Sequence, residues 1–493
     1  MSLTRTATTT DDEVFVDSAG QPETRGIELI AEADRHGRPR DLFFVWAAPN
    51  VSVLNFTIGA TMITLGLTLW QAVLVILVGS LPWIFTGIVA IAGPAAGTSG
   101  SVISRAMYGI LGNRVLVAFT GWLISAVFLA LNWLASSFMG ADLLARIGLT
   151  NPVVWPIAVT VIVSAITVVV AVYGHGLILR AYTGVTVFLL VVFLAVTAFV
   201  LPHVDWTYRP AQELHGVPLW AAVTIGITLL ASTPLSYSNS PDLARYLPAS
   251  ASPARIVAAT AFGGAVPSAF FTIVGALLAT GVTRTQLDAG IDVALLDLLP
   301  AWLGVFLVIG VVVNTISLNG MTVYSSSMAL QAIGIPIRRI PSAVVVGAIG
   351  TALTIYLVLS TSLLEAVNLM LQFLVIVTGP AMAVFVTDIA LRRNRYDGLD
   401  LFDERRGARF WYTGGFSAAG MTAVIVGGVA TALGLSTTVW SGAISTAMNG
   451  VDLSVELGMI VSAVLYAVIQ KSPLGTAASS PLSVSDKTPH TRK

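Results

Sequence analysis

The stretch at 43–68, FFVWAAPNVSVLNFTIGATMITLGLT, constrains this chain most: it is long enough to cross a bilayer, yet Pro49, Asn50, Ser52 and Asn55 interrupt its first half. About 20 apolar residues span the roughly 30 Å hydrocarbon core. Proline removes a backbone donor, and an unsatisfied peptide group in lipid costs several kcal/mol. Broken backbone therefore survives at membrane depth only where protein or a water-filled cavity surrounds it. Two readings follow: a helix interrupted at a binding site, or a kinked helix whose small polar residues pack against neighbours.

Further apolar segments follow at 71–92, 115–140, 153–173, 181–201, 219–240, 256–280, 302–333, 342–359, 363–391, 413–435 and 451–469, which makes twelve expected spans. Only 10% of the residues are charged, against roughly 25% in soluble domains, so the chain reads as an all-α polytopic membrane protein. Residues 1–41 are polar and read as a cytoplasmic tail, 42–471 as the transmembrane unit, and 472–493, rich in Ser, Thr and Pro, as a disordered cytoplasmic tail. The glycine-rich stretch 93–114 reads as a cytoplasmic loop with a short amphipathic helix at 104–111. With both termini inside, that face carries Arg35, Arg38, Arg40, Arg338, Arg339, Arg392, Arg393 and Arg395, against Arg146, Arg209 and Arg284 outside. The bias satisfies the positive-inside rule and places the chain in the cell membrane with both ends cytoplasmic.

The sixth segment is interrupted like the first, by Ser232, Thr233, Pro234, Ser236, Tyr237, Ser238 and Asn239. Matching interruptions in two halves point to an inverted-repeat transporter with its site near the midplane, where half-helix ends offer free N–H and C=O groups. The halves are expected at 42–202 and 219–391, with two further helices in 412–470. A planar solute there needs aromatic faces and side chains that both donate and accept hydrogen bonds. Trp122, Phe128, Trp133 and Tyr237 are the aromatic candidates; Ser52, Asn55, Ser125, Asn132, Asn314, Asn319 and Thr322 are the polar ones. Tryptophan also marks interface belts and small hydroxyls also serve packing, so residue type alone leaves both roles open.

No Asp, Glu, Lys or Arg falls in the middle of an assigned span, so the usual mark of a proton relay is missing. Glu365, Asp242 and Asp388 lie near segment ends and read as solvated charges or caps, and Asp242 with Arg245 as an inner-face structural pair. Oxygen ligands for a sodium ion are available instead from Ser317 with the carbonyls of Ala48, Val51 and Val313. The chain has no cysteine, no HExxH, no Walker loop and no GxSxG, and its histidines fall in tails and loops, so an enzyme is not expected.

From 23 to 471 the sequence resembles the nucleobase:cation symporter-1 family, in its purine and cytosine permease branch. The matching pieces are ETRGIELI and HGRPRDLFFVWAAPN before and into the first segment, GPAAGTSGSVISRAMYGILGN after the second, TGW at 120–122, NSPDLARYLP, NGMTVYSSSMALQAIG, GPAMAVFVTDIALRRNRYD and YTGGFSAAG. The resemblance implies a leucine-transporter-like fold of two inverted five-helix repeats plus two peripheral helices, working by alternating access. It implies import of a nucleobase or related heterocycle with a proton or a sodium ion, and no other cofactor. By position, Trp122 takes the place of the base-stacking tryptophan, Ser52 that of the polar residue of the first helix, and Asn319 and Thr322 those of the eighth. The chain departs from the family at Ala126, where an asparagine is usual, and between 228 and 239 of the sixth segment, where Tyr237 is the only aromatic in place of a second stacking tryptophan. Of two adjacent hydroxyls at the family's sodium site, only Ser317, or Thr315 one register away, can be placed. The expected partners are a small heterocycle and membrane lipid, with no nucleic acid, in a monomer or weak oligomer. An uncoupled facilitator, a transporter-derived sensor, or a symporter of a vitamin-like ring such as thiamine, pyridoxine, allantoin or a hydantoin are the alternatives.

Overall fold

A computed structural model describes residues 22–360 and 363–472. Its long helices are α1 (Asp41–Asn50), α2 (Val53–Thr64), α3 (Leu69–Ala96), α4 (Ile110–Arg146), α5 (Val154–Tyr173), α6 (His175–His203), α7 (Val217–Leu235), α8 (Pro253–Gly281), α9 (Ala301–Ala332), α10 (Arg339–Ser360), α11 (Leu363–Arg392), α12 (Ala418–Gly434) and α13 (Ser454–Lys471). Among the described residues, ten helices are long and apolar enough to cross a membrane, and α1 with α2 forms one further span bent by 59°. The remaining expected span is α12, at 17 residues the shortest. It begins late because Gly414 and Gly415 adopt positive φ, and Ser417 then caps the helix by accepting from the Gly420 N–H at 3.4 Å.

The bend of the first span falls where proline and the polar residues stand. Pro49 lies inside α1, Val51 is not helical, and Ser52 turns to an extended conformation whose hydroxyl accepts from the Leu54 N–H at 3.1 Å, starting α2. The seventh helix ends at Leu235, one residue past Pro234, and the chain stays non-helical until a short helical turn at Pro241–Ala244. By contrast the polar run in α9 does not break it: its hydroxyls donate back one turn, as Ser317 to Val313 at 2.9 Å and Thr322 to Leu318 at 3.0 Å.

The broken span is held by direct backbone contact with α8. A Cβ on Gly59 would stand 1.9 Å from the Thr272 carbonyl oxygen, one on Gly275 2.3 Å from that of Phe56, and one on Gly263 2.6 Å from that of Phe43. Small residues let helices approach this closely, which is how helices associate where lipid removes the hydrophobic driving force. Outside this core, Trp70, Trp220 and Trp302 are exposed near the first residues of α3, α7 and α9, at the positions of an interface belt.

Two sequence expectations are corrected here. Residues 93–114 are no exposed loop with one amphipathic helix: short turns at Gly100–Ile103 and Arg105–Tyr108 are wholly buried and run into α4. Their polarity is absorbed internally. The Asn113 amide donates to Ser101 O at 2.8 Å, Ser104 donates to Asn113 Oδ1 at 2.7 Å, and buried Arg105 reaches Leu401 O at 3.0 Å and Glu404 at 2.8 Å. Within the N-terminal region, residues 22–40 do not hang free either, since Glu23 and Ile30 are buried. The expectations at 1–21 and, apart from Ser472, at 472–493 lie outside the described residues, as does the side chain of Glu365.

Candidate solute and ion site

A helix that stops in the membrane leaves carbonyls without intrahelical donors. At the end of α1 asparagine amides supply them. Asn50 Nδ2 donates to Trp46 O at 2.8 Å, Asn55 Nδ2 to Asn50 O at 2.6 Å, and Asn314 Nδ2, from α9, to Ala48 O at 2.9 Å and Pro49 O at 3.1 Å. The break after α7 is held from α3: Thr86 donates to Pro234 O at 2.8 Å and Ser240 donates to Thr86 O at 2.8 Å. Tyr237, within that break, stacks on Trp83 at 5.6 Å and meets Trp46 of α1 edge-on at 4.8 Å. The two interrupted spans therefore touch through one aromatic cluster.

The residues named from sequence lie in several environments, of which the π-helical turn of α4 reaches the second break. Trp122 lies in a π-helical turn, Ala118–Leu123, within α4; such turns concentrate at functional sites. Its ring packs against the cluster of Leu129, Trp133 and Val323, and its buried indole N–H has no hydrogen-bond partner among the described residues. Beside it, Thr120 and Gly121 share a cavity of about 20 Å³, room for one water, with Ser238 and Asn239 of the α7 break. Ser125 donates to Gly121 O at 2.8 Å, and Ala126 is buried. Asn319 is turned to α4, accepting from Asn132 Nδ2 at 3.0 Å and donating to Leu129 O at 3.0 Å. Ser52 caps α2. Of the ion-site candidates, Ala48 O is taken by Asn314, Val313 O by Ser317, and Val51 sits buried at the bend. A cavity of about 300 Å³ lies elsewhere, between α4 and α11, and its lining from Phe119 to Val377 is apolar.

One end of the bundle is closed by a network that sequence reasoning missed. The Glu23 carboxylate accepts from Tyr246 OH at 2.9 Å, Arg245 Nη2 at 3.1 Å, Tyr324 OH at 3.3 Å and the His175 N–H at 2.8 Å, with Arg339 at 3.8 Å. It joins the segment after α7 to α6, α9 and α10. Arg245 thus pairs with the N-terminal segment, while Asp242 Oδ1 accepts from the Gly100 N–H at 2.7 Å. The reading of Asp242 and Asp388 as solvated charges or caps is corrected: both are fully buried, Asp388 among Arg392, Tyr396 and Tyr466 at 2.6–2.9 Å. No apolar periodicity marks such residues. A polar segment seated under a bundle carries no local pattern that distinguishes it from a free tail.

Residues 29–458 match the family model described as permease for cytosine/purines, uracil, thiamine and allantoin. The chain belongs to this family. Among relatives of the permease, a putative purine-cytosine permease of Bacillus subtilis is 25% identical over 92% of this chain and 96% of its own length. A purine-cytosine permease of Saccharomyces cerevisiae is 24% identical over 90% and 85%. Among solved structures, Mhp1, a nucleobase-cation-symport-1 family transporter in a closed conformation with bromovinylhydantoin bound, superimposes with a TM-score of 0.71 at 19% identity, covering 92% of this chain and 96% of that one. A sodium-coupled sialic acid symporter follows at 0.57 and 13%, covering 92% and 93%. The permease therefore has the leucine-transporter-like inverted-repeat fold that the family resemblance implied.

Proposed function

We propose that this permease is a secondary-active symporter importing a nucleobase-like heterocycle by alternating access, coupled to a proton or a sodium ion. The observation that carries the reading is the meeting of two interrupted spans, α1–α2 and the chain after α7, through Trp46 and Tyr237, with Thr120 and Gly121 of the π-turn that bears Trp122 lining a cavity with Ser238 and Asn239 of the second break. Free backbone at membrane depth is expensive, and its use in both halves at one junction is what a midplane site requires. The repeats are assigned to 42–202 and 219–391, with α12 and α13 peripheral. The basic end carrying Glu23, Arg245 and Arg339 is placed in the cytoplasm with both termini.

Trp122 offers a stacking face and an unpartnered indole N–H, which suit a ring bearing a carbonyl. Ser52 and Thr322 are assigned as polar positions of the same site. Asn319 supports the site from behind, since its amide holds α9 to α4. A ring other than cytosine is the second reading, favoured by Ala126 and by Tyr237, which is occupied by Trp46 and Trp83. The test is thermal stabilisation of the purified protein by cytosine, adenine, hypoxanthine, uracil, allantoin, a hydantoin, thiamine and pyridoxine. A ligand of the folded state raises its stability with the logarithm of concentration over Kd. One ring from this set is expected to stabilise, and Trp122→Ala to weaken its binding by about 1–3 kcal/mol, the usual worth of base–aromatic stacking. Unchanged affinity in a folded Trp122→Ala protein removes Trp122 from the site.

A further inference from the structure

We infer that the side-chain amide of Asn314 replaces a coupling sodium ion at the α1 break, so that the permease is independent of sodium. The inference rests on the transporter reading and narrows its choice of ion.

The C-terminal end of a half-helix concentrates partial negative charge on carbonyls without intrahelical donors, and in a broken transporter span that is where a cation binds. Here each of the last four carbonyls of α1 already has a donor. Ala47 O accepts from the Val51 N–H at 3.2 Å, Ala48 O and Pro49 O from Asn314 Nδ2 at 2.9 and 3.1 Å, and Asn50 O from Asn55 Nδ2 at 2.6 Å. The facing side of α9 offers little to replace them. Ser317 turns its hydroxyl proton to Val313 O at 2.9 Å, its own carbonyl accepts from the Tyr182 hydroxyl, and its neighbour Ile316 has no side-chain ligand atom, which leaves the Ser317 hydroxyl oxygen as the one side-chain ligand there.

Sodium takes oxygen ligands, and Asn314 presents nitrogen. An amide has one donor end and one acceptor end. Turned over, Asn314 would aim its oxygen at two carbonyl oxygens, an arrangement stable only with a cation among them. The amide-bonded and sodium-bound forms therefore exclude each other at this position. Asn314 is buried, so water does not supply an alternative partner cheaply.

The experiment compares thermal stability of the purified, solute-free protein in sodium chloride and in choline chloride at equal ionic strength. The wild-type midpoint is expected to be the same in both, and so is that of Ser317→Ala, which leaves both Asn314 bonds in place. In Asn314→Asp a carboxylate faces the Ala48 and Pro49 carbonyls, and stability should become dependent on sodium or on acidification. A sodium-specific shift in the wild-type protein overturns the proposal, whether or not Ser317→Ala abolishes it. Because no solute is present, this result stands apart from the solute screen: a sodium shift with heterocycle binding contradicts only the role of Asn314, and absence of heterocycle binding contradicts only the transport reading.

Discussion

Replacing Glu23 by alanine is expected to destabilise the protein by about 3–5 kcal/mol, the cost of removing one partner from a buried ion pair. The glutamate is the acidic member of a group in which Arg245 and Arg339 are both fully buried. Its loss leaves Arg245 with Gly26 O at 2.5 Å and Tyr324 OH at 2.9 Å, neutral acceptors for a charge removed from water. The same loss removes the acceptor of the His175 N–H at the start of α6, at 2.8 Å, and leaves the segment only its backbone bond from residue 23 N–H to Val172 O of α5 at 3.1 Å. Glu23→Gln, which keeps an acceptor for Tyr246 but not the charge, should lose less. Glu23→Ala combined with Arg245→Met should recover part of the loss, since an apolar replacement of both partners is often near neutral. Unfolding of the purified variants measures this. A loss in Glu23→Ala within about 0.5 kcal/mol, the range of ordinary surface substitutions, would mean that the segment is not seated between the helices.

Gly59→Ala and Gly275→Ala are each expected to cost about 1–3 kcal/mol, the range for forcing extra volume into a packed interface. Added at Gly59, a methyl would stand 1.9 Å from Thr272 O and 2.7 Å from Ala276 N; at Gly275 it would stand 2.4 Å from Phe56 Cα. All are backbone atoms, which no rotamer change removes. The helices must separate instead. One separation of α2 from α8 relieves both clashes, so the double variant should cost less than the two single costs together. Thermal unfolding of the three proteins reads this, and strict additivity would show that the two contacts are independent.

The breaks were legible in the sequence because proline and asparagine inside an apolar span have few tolerable explanations in lipid. Pro49 and Pro234 mark both within two residues of where helix ends. What the junction does with its polar side chains was not legible. An asparagine serves a ring edge or a carbonyl equally well, and only the register of α9 against α1 decides that Asn314 meets Ala48 and Pro49 while Asn319 meets α4. The stretch 93–114 and Glu23 were hidden for the opposite reason. Their glycines, serines and charges read as solvated, and it is long-range partners such as Leu401, Glu404 and Arg245 that bury them.

The most direct measurement is uptake of radiolabelled cytosine, hypoxanthine, uracil, allantoin and a hydantoin into proteoliposomes, with an inward proton gradient, with an inward sodium gradient, and with neither. One of these rings is expected to accumulate above its external concentration only when one of the gradients is present, and Trp122→Ala to weaken that uptake. Correctly inserted protein that merely equilibrates a ring across the membrane, or moves none of them, would contradict the symporter reading.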